Sequence, residues 1–183
     1  MKSFLSLFTL TFLLFSCHQK ADPEKVKEFA NSIYVGTNGE IKAVQQEFVN
    51  KFTEDLKKLK ADDNAVIDTL QLRELFEKAK EANHKSFIVL NKTQEVDEKI
   101  GLRKKALAEN ELFRSLYEND FAKIVELLES KEPKKIDKLT ELISSFASKT
   151  QEIKDIQSAA KEADYEFTNK YNVDFPEDSI KAN

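Results

Sequence analysis

Glu81 and His84 are the residues whose types and spacing come nearest to a reactive site in this chain. Side chains three positions apart lie on one face of a helix, so this carboxylate and imidazole can approach a common metal ion. Di-metal helical bundles need such a Glu-x-x-His pair on two helices and a further glutamate on each of the other two. The only other histidine is His18, close to the N-terminus, so a second pair cannot form. We therefore expect no metal site and interpret His84 as a surface residue.

Other catalytic patterns are missing from the sequence or too common to be informative. The chain has 33 acidic residues, too many for two to be chosen as an acid–base pair. It has neither a glycine-rich phosphate loop nor a Gly-x-Ser-x-Gly nucleophile motif. Acidic and basic residues alternate, with a net charge of −4 and no basic patch that would favour nucleic acid. The sequence predicts a protein that is not an enzyme, uses no cofactor and binds no nucleic acid.

The N-terminal segment carries a secretion signal. Lys2 supplies a positive charge, residues 4–15 form an apolar run, and Ser16 precedes Cys17, the only cysteine. This order is typical of a signal peptide, and a run of about 18 Å is too short to cross a hydrocarbon layer of about 30 Å. We expect residues 1–16 to be a signal peptide that is removed. An ordinary signal peptide followed by an incidental cysteine is the alternative.

The run Leu14-Phe15-Ser16-Cys17 resembles the lipobox of bacterial lipoproteins, although Phe15 replaces the small residue usual at its position. The resemblance implies that the Cys17 thiol receives a diacylglyceryl group and that the new amine is acylated, with chains such as palmitate. Several acyl chains make anchoring stable. Residues 17–22 would then be a lipidated tether. By resemblance to lipoprotein sorting, His18 rather than Asp after the cysteine favours the outer membrane of a Gram-negative-type bacterium.

The rest of the chain predicts an all-α fold. Alanine, glutamate, lysine and leucine dominate, and the chain has only three glycines and three prolines. Four helical segments joined by short turns predict an elongated antiparallel bundle of four helices, up-down-up-down, over residues 23–171, with a tail at 172–183. Apolar residues at helical spacing mark the inward faces. They include Val26, Phe29, Ile33, Phe48, Phe52, Leu72, Phe76, Leu90, Leu102, Ala106, Phe113, Leu116, Ile124, Leu128, Leu139, Phe146 and Phe167.

Three details of this bundle are predicted separately. Asp97 is expected to cap the third helix, whose start Gly101 leaves uncertain by several residues. Residues 36–39 contain two glycines, so the first helix either breaks there or runs on with the glycines admitting a close neighbour. The unbroken apolar spacing favours a continuous or kinked helix. Pro133 marks the start of the fourth helix, whose coiled-coil-like seam runs to Tyr171 and includes the polar residues Gln157 and Asp164.

Polar and aromatic residues within the bundle allow two interpretations each. Asn83 and Thr150 fall at inward positions, where they either set the helix register or line a polar pocket. A second group of side chains is either part of the core or an exposed patch for a partner protein. That group consists of Tyr34, Tyr117, Phe121 and Tyr165.

Several features together resemble small helical surface lipoproteins of bacteria. They are the lipobox, the opening Asp22-Pro23 helix with Val35-Gly36, the run from Phe113 through Leu116-Tyr117 to Leu128, and the closing Phe167-x-x-Lys170-Tyr171-Asn172. The resemblance implies a lipid-anchored, mostly helical protein whose molecular role is uncharacterised, and it carries over no catalytic residues.

The sequence therefore predicts a non-catalytic binding module, held to a membrane through Cys17, whose partner is a protein of the envelope or of a host. Two alternatives remain open. One is a periplasm-facing structural or assembly factor of an envelope complex, and the other is a carrier of a small apolar ligand between the helices.

Overall fold

Residues 21–130 and 135–173, which the computed structural model describes, form an all-helical structure. Within them no strand occurs, which confirms the predicted all-α class. Among the same residues, no helix has both the length and the apolar character that crossing a membrane requires. The elements in chain order are α1 (Pro23–Thr37), α2 (Gly39–Ala61), α3 (Thr69–Lys92), α4 (Leu102–Ser115), a π-helical segment (Leu116–Phe121), α5 (Ala122–Glu129), α6 (Lys135–Ser148) and α7 (Thr150–Tyr171).

Several predicted features lie outside the described residues. They are the signal peptide at 1–16, the lipid-attachment residue Cys17, most of the tether, the helix start at Pro133 and the tail from residue 174 onwards. The signal peptide, the anchor and the tail remain predictions.

Helices α1 and α2 are separated by one residue, Asn38. Its backbone is in the right-handed helical region, with φ −113° and ψ −63°. Asn38 N–H donates to the Tyr34 carbonyl at 2.8 Å, and Lys42 N–H donates to the Asn38 carbonyl at 3.2 Å. Because i→i−4 hydrogen bonds continue on both sides, the junction agrees better with the predicted continuous or kinked helix than with a break.

Gly36, just before this junction, lies against Leu90 of α3. A Cβ added to Gly36 would lie 2.7 Å from Leu90 Cδ2, inside the range that real Cβ contacts avoid. The glycine therefore permits a close approach of α1 and α3, as one of the two interpretations predicted. Ser86 Oγ donates a hydrogen bond to the Gly36 carbonyl across the same contact.

Helix α3 is the central element, because it contacts α1, α2, α4 and α5. Two hydrophobic clusters form around it. The first joins α1, the C-terminal end of α3, α4 and α7, with Phe29 and Phe167 ring centroids 5.0 Å apart. The second joins α2, the N-terminal half of α3, the π segment, α5 and α6, and it centres on Phe48, Phe76 and Tyr117.

The third predicted helix begins later than expected and contains a π turn. Asp97, expected to cap this helix, instead accepts hydrogen bonds from the backbone N–H groups of Lys99 and Ile100 in a preceding turn. Gly101, at φ +62°, then leads into α4. In the π segment Ala122 N–H reaches back to the Tyr117 carbonyl, an i→i−5 bond that inserts one residue into the turn.

The fourth predicted helix is two helices, α6 and α7, separated at Lys149. The interruption changes the face that the following residues present, so Thr150, predicted to point inward, is exposed. Only Leu139 of α6 is buried, whereas Ala160, Ala163 and Phe167 of α7 are. The predicted seam therefore holds for much of α7 but weakens around the interruption.

The second group of aromatic residues does not form one exposed patch. Tyr117 is buried, and the Phe121 ring packs against the rings of Phe48, Phe52 and Phe146. Tyr165 is exposed, and Tyr34 is half-buried. The core interpretation is correct for Tyr117 and Phe121.

Candidate binding cavity

Glu81 and His84, the pair whose spacing comes nearest to a metal site, do not form one. Glu81 and His84 are both exposed on α3, and Glu81 forms an ion pair with Lys85 at 2.9 Å. Among residues 21–130 and 135–173, no group of three His, Cys, Asp or Glu side chains is placed to hold a metal ion. Cys17 is outside the described residues, so its predicted lipidation is addressed by sequence alone.

Polar side chains instead converge on a cavity between three helical elements. It lies between the α1–α2 junction, α4 and α7 and has a volume of about 370 Å³. Small-molecule sites in proteins begin at about this size, roughly 300 Å³. Its apolar wall is formed by Ile33, Leu102, Ala106, Phe113 and Ala160.

Two half-buried carboxyl groups, Glu109 of α4 and Asp164 of α7, line the cavity. Burial raises the pKa of Glu109, and the neighbouring Gln157 amide and the charge of Lys161 only partly oppose this rise. Burial alone raises the pKa of Asp164. Within the described part of the chain the Asp164 carboxylate forms neither a hydrogen bond nor an ion pair. Both carboxylates therefore lack full compensation for the water they have lost.

A buried amide lies next to this cavity. Asn110 is 5% exposed, and its Nδ2 donates to Ser86 Oγ at 2.9 Å and to the Asn83 carbonyl at 3.1 Å. All the acceptors lie on the Nδ2 side, which fixes the orientation of the amide. Asn110 Oδ1, on the opposite side, has no donor among the described residues. An unmatched buried acceptor is costly, and the packing around this oxygen closes it off from solvent.

Asn110 lines a smaller cavity of about 50 Å³ that adjoins the larger one. The two share part of their lining, including Thr37, Gln45, Glu109 and Phe113. A cavity of this size has room for one or more water molecules or for the end of a ligand.

Basic residues lie at the rim of the larger cavity. Lys42 and Lys161 line it, and both residues are exposed. Gln45 also lines the cavity, and burial raises the pKa of Tyr117, on the π segment, well above its ordinary value. Carboxyl groups and lysine side chains thus both line this cavity. Chemically, the arrangement offers polar groups of both charges and an apolar wall, the combination that small-molecule sites use.

A larger groove of about 690 Å³, between α3 and the π segment, is a weaker candidate. Most of its charged side chains are exposed, and several are already paired. Arg73 bonds to Glu129 with Nε 2.8 Å from Oε1, and Lys80 bonds to Glu77 at 3.1 Å. Paired charges on a helix surface are ordinary and indicate no ligand.

A third polar cluster holds the far end of α7 in place. Asp97 is 8% exposed, and its carboxylate accepts a hydrogen bond from the Tyr171 hydroxyl at 2.9 Å and another from Lys170. Every polar atom of this carboxylate is occupied by the protein itself. We interpret the cluster as structural.

The sequence pointed to part of the candidate cavity. Asn83, predicted as inward, is buried beside Asn110, and Asp164 belonged to the predicted seam of the fourth helix. Glu109 and Asn110 were missed. A signal for Glu109 was present, because it lies three residues after Ala106 and four before Phe113, on the same helical face.

Comparison with protein-family models, with curated proteins and with solved structures gives no match for this chain. The resemblance to small helical surface lipoproteins therefore stays a prediction from the sequence.

Proposed function

We propose that this protein is a lipid-anchored component of a bacterial cell envelope that acts by binding and not by catalysis. The anchor part rests on the apolar run that ends at Leu14-Phe15-Ser16-Cys17, a few residues before the cap at Asp22. The binding part rests on one observation. Glu109 of α4 and Asp164 of α7 place two half-buried carboxyl groups on the wall of a cavity of about 370 Å³.

The arrangement of the helices is part of this proposal. In it, four antiparallel rods run up-down-up-down. They are α1 with α2, α3, α4 through α5, and α6 with α7. The contacts between helices support this arrangement, because α3 contacts α1 and α2, α4 contacts α3 and α7, and α5 contacts α6. Such a bundle places the α1 N-terminus, which follows the tether, at the same end as the Asp97 cluster that holds α7.

The proposed location is the outer membrane of a Gram-negative-type bacterium, with the helical domain on its outer or its periplasmic face. Partners are then proteins or solutes of the envelope or of a host. Among the alternatives, a carrier of apolar ligands is less favoured by the cavity, because Glu109 and Asp164 would have to be buried against hydrocarbon. An assembly factor that faces the periplasm remains compatible with the same anchor.

The test compares the native protein with Cys17→Ala in cells that carry an epitope tag after Asn183 and are fed an alkyne-labelled palmitate. We expect the native protein, but not the variant, to take up the label and to partition with the membrane fraction. Protease added to intact cells then removes the tag if the domain lies outside and spares it if the domain lies in the periplasm. Equal labelling and partition of the two proteins would refute the anchor.

A further inference from the structure

We propose that the end of the molecule where α1 begins rests against the lipid surface that holds Cys17, so that the helices stand end-on to the membrane. The inference rests on the anchor proposed above, and it adds the surface that meets the lipid and the orientation of the domain. It is carried by the short reach of the chain between Cys17 and α1, by the apolar side chains gathered at that end, and by the scattered hydrophobic residues along the helix sides.

Contacts between elements define the two ends of the molecule. At one end the start of α1 lies beside the turn after α3, where Asp22 and Val96 line the same groove. The end of α7, at Tyr171, lies next to the start of α1 as well. We call this the tether end. At the other end, the far end, Asp63 Oδ1 accepts a hydrogen bond from Ile136 N–H at 3.2 Å, which joins the α2–α3 turn to the start of α6.

Helix α3 runs from the far end to the tether end. Its 24 residues separate the two ends by about 36 Å, at a rise of 1.5 Å for each residue. The two ends also belong to different hydrophobic clusters, because the C-terminal end of α3 packs into the first cluster and its N-terminal half into the second. A flat surface therefore contacts both ends only if the domain lies on its side.

The chain between the predicted lipid and the first helix is short. Cys17 is five residues before Asp22, the N-cap of α1. Five residues span at most about 18 Å even when they are fully extended. Lipid on Cys17 therefore holds the tether end close to the membrane surface, whereas the far end is held only through the domain itself.

Half-buried apolar side chains gather at the tether end. Of the five that pack on the margin of the first cluster, four lie there, namely Ala21, Val96, Tyr171 and Val173. Three of them, Ala21, Tyr171 and Val173, line one groove of about 460 Å³. Tyrosine, with an apolar ring and a polar hydroxyl, is well suited to the boundary between lipid and water. This end thus offers a surface that matches the membrane interface in chemistry.

The charges of the tether end are mixed. Its exposed side chains include Glu24, Lys25, Glu98 and Lys99, which carry charges of both signs. Attraction between basic side chains and anionic lipid is therefore not what selects this surface. The short tether and the apolar side chains select it instead.

The sides of the helices are less suited to lipid. A helix that lies in a membrane interface presents a continuous apolar face. Within the described part of the chain, the large hydrophobic residues exposed along the sides are one on each of four helices, Val35, Val49, Ile88 and Tyr165. Single exposed hydrophobic residues are ordinary on a surface that faces water. The other two, Val66 and Leu70, lie at the far end.

The experiment measures resonance energy transfer from single positions of the protein to a dye-labelled lipid. The full chain is purified from membranes in a non-ionic detergent and reconstituted into vesicles of phosphatidylethanolamine and phosphatidylglycerol that contain the acceptor lipid. Glu98→Cys, Glu81→Cys and Val66→Cys place a donor dye at the tether end, midway along α3 and at the far end. All three native side chains are exposed, so the substitutions preserve the fold. Cys17 is the only natural cysteine, so a lipidated chain takes the dye at the new thiol alone.

We expect the rate of transfer to fall in the order of positions 98, 81 and 66. Positions 98 and 66 should differ by more than about tenfold, because transfer falls steeply with distance and the length of α3 separates them. The control combines Cys17→Ala with Glu98→Cys, and this protein should stay in the aqueous phase and give no transfer.

The proposal is overturned if positions 98 and 66 give equal rates, as they would in a domain that lies on its side, or if position 66 gives the highest rate. In both cases the labelled proteins still partition with the vesicles, so the anchor itself stands. Failure of the anchor looks different, because the variants that retain Cys17 would then stay in the aqueous phase like the Cys17→Ala control. That outcome overturns the anchor and the end-on orientation together.

Discussion

At the scale of single residues, two aspartates experience opposite environments. Asp164 is half-buried with no partner in the described chain, and burial raises its pKa. Burial also acts to raise the pKa of Asp97, but hydrogen bonds from Lys170, Tyr171 and two backbone N–H groups outweigh it and lower that pKa. The Asp164 carboxylate has no partner in the described chain, whereas both oxygens of the Asp97 carboxylate accept hydrogen bonds. The contributions of the two carboxylates to the free energy of unfolding should therefore change with pH in opposite directions.

We expect Asp164→Asn to stabilise the free protein at pH 7.5. A carboxyl group with a raised folded-state pKa contributes stability that is complete below its unfolded pKa and lost as the pH rises through the folded one. At neutral pH the ionised group therefore costs stability, and the amide avoids the cost. Thermal melts should show a gain of about 2–4 °C, equivalent to about 1 kcal/mol, that vanishes near pH 3.5. A lower melting temperature at pH 7.5 than that of Glu162→Gln, a control because Glu162 is exposed on the same helix, would contradict this.

Asp97→Asn should act in the opposite direction. A group with a lowered folded-state pKa contributes stability above its unfolded pKa and loses it as the pH falls through the folded one. The variant should lose about 1–2 kcal/mol at pH 7, since Lys170 is half exposed and its ion pair is partly screened. Urea unfolding at several pH values measures this. The deficit should narrow below about pH 4, where the wild-type carboxylate is also protonated, and Tyr171→Phe should cost less than Asp97→Asn.

At the scale of elements, close contacts and interruptions decide which faces meet. Gly36 brings α1 onto Leu90 of α3, and the same approach allows Ser86 to bond to the Gly36 carbonyl. The π segment turns Tyr117 and Phe121 into the second cluster, where an uninterrupted α-helix would rotate the following residues differently. These local irregularities keep both sides of α3 packed.

Gly36→Ala should destabilise the protein by about 1–3 kcal/mol, the usual cost of overpacking. A loss of stability would be informative, because replacing glycine with alanine in an isolated helix is favourable by about 1 kcal/mol. Urea unfolding of Gly36→Ala, Leu90→Val and the double variant would measure the coupling. We expect the double variant to lose less than the sum of the two single losses, since Leu90→Val removes atoms that meet the new methyl group. If the double variant loses the full sum of the two single losses, the contact between position 36 and Leu90 is contradicted.

At the scale of the whole molecule, the packing is uneven. Helix α3 contacts four other helices and buries six residues, among them Leu72 and Phe76. Helix α6 buries only Leu139 and is followed by the interruption at Lys149. Local opening is easiest where few apolar contacts are lost.

Hydrogen exchange monitored by mass spectrometry should therefore rank the helices. Amides of α6 should exchange at least about tenfold faster than those in the middle of α3, which corresponds to a difference of about 1.4 kcal/mol or more in opening free energy. Leu139→Ala should accelerate exchange in α6 while leaving α1 unchanged, because α1 belongs to the other cluster. Equal protection of α3 and α6 would instead indicate that the described helices unfold as one unit.

Much of the helical framework was predictable because helical periodicity is local. The inward positions of Val26, Phe29, Phe76 and Leu90 follow from apolar residues that recur every three or four positions, and all four are buried. Asn83 was correctly placed inward for the same reason. Predictions failed where the period is interrupted, at Asp97, where a turn precedes α4, and at Thr150, which follows the interruption between α6 and α7.

By itself the sequence determined the all-α class, most inward faces and the lipidation signal at Cys17, which remains a prediction. Each depends on residues close together in the chain. Only the tertiary structure decided that Glu109 and Asp164, 55 positions apart, face one cavity next to the unmatched Asn110 oxygen. That convergence is set by how α4 and α7 pack against each other, and no local pattern encodes the relative position of two helices.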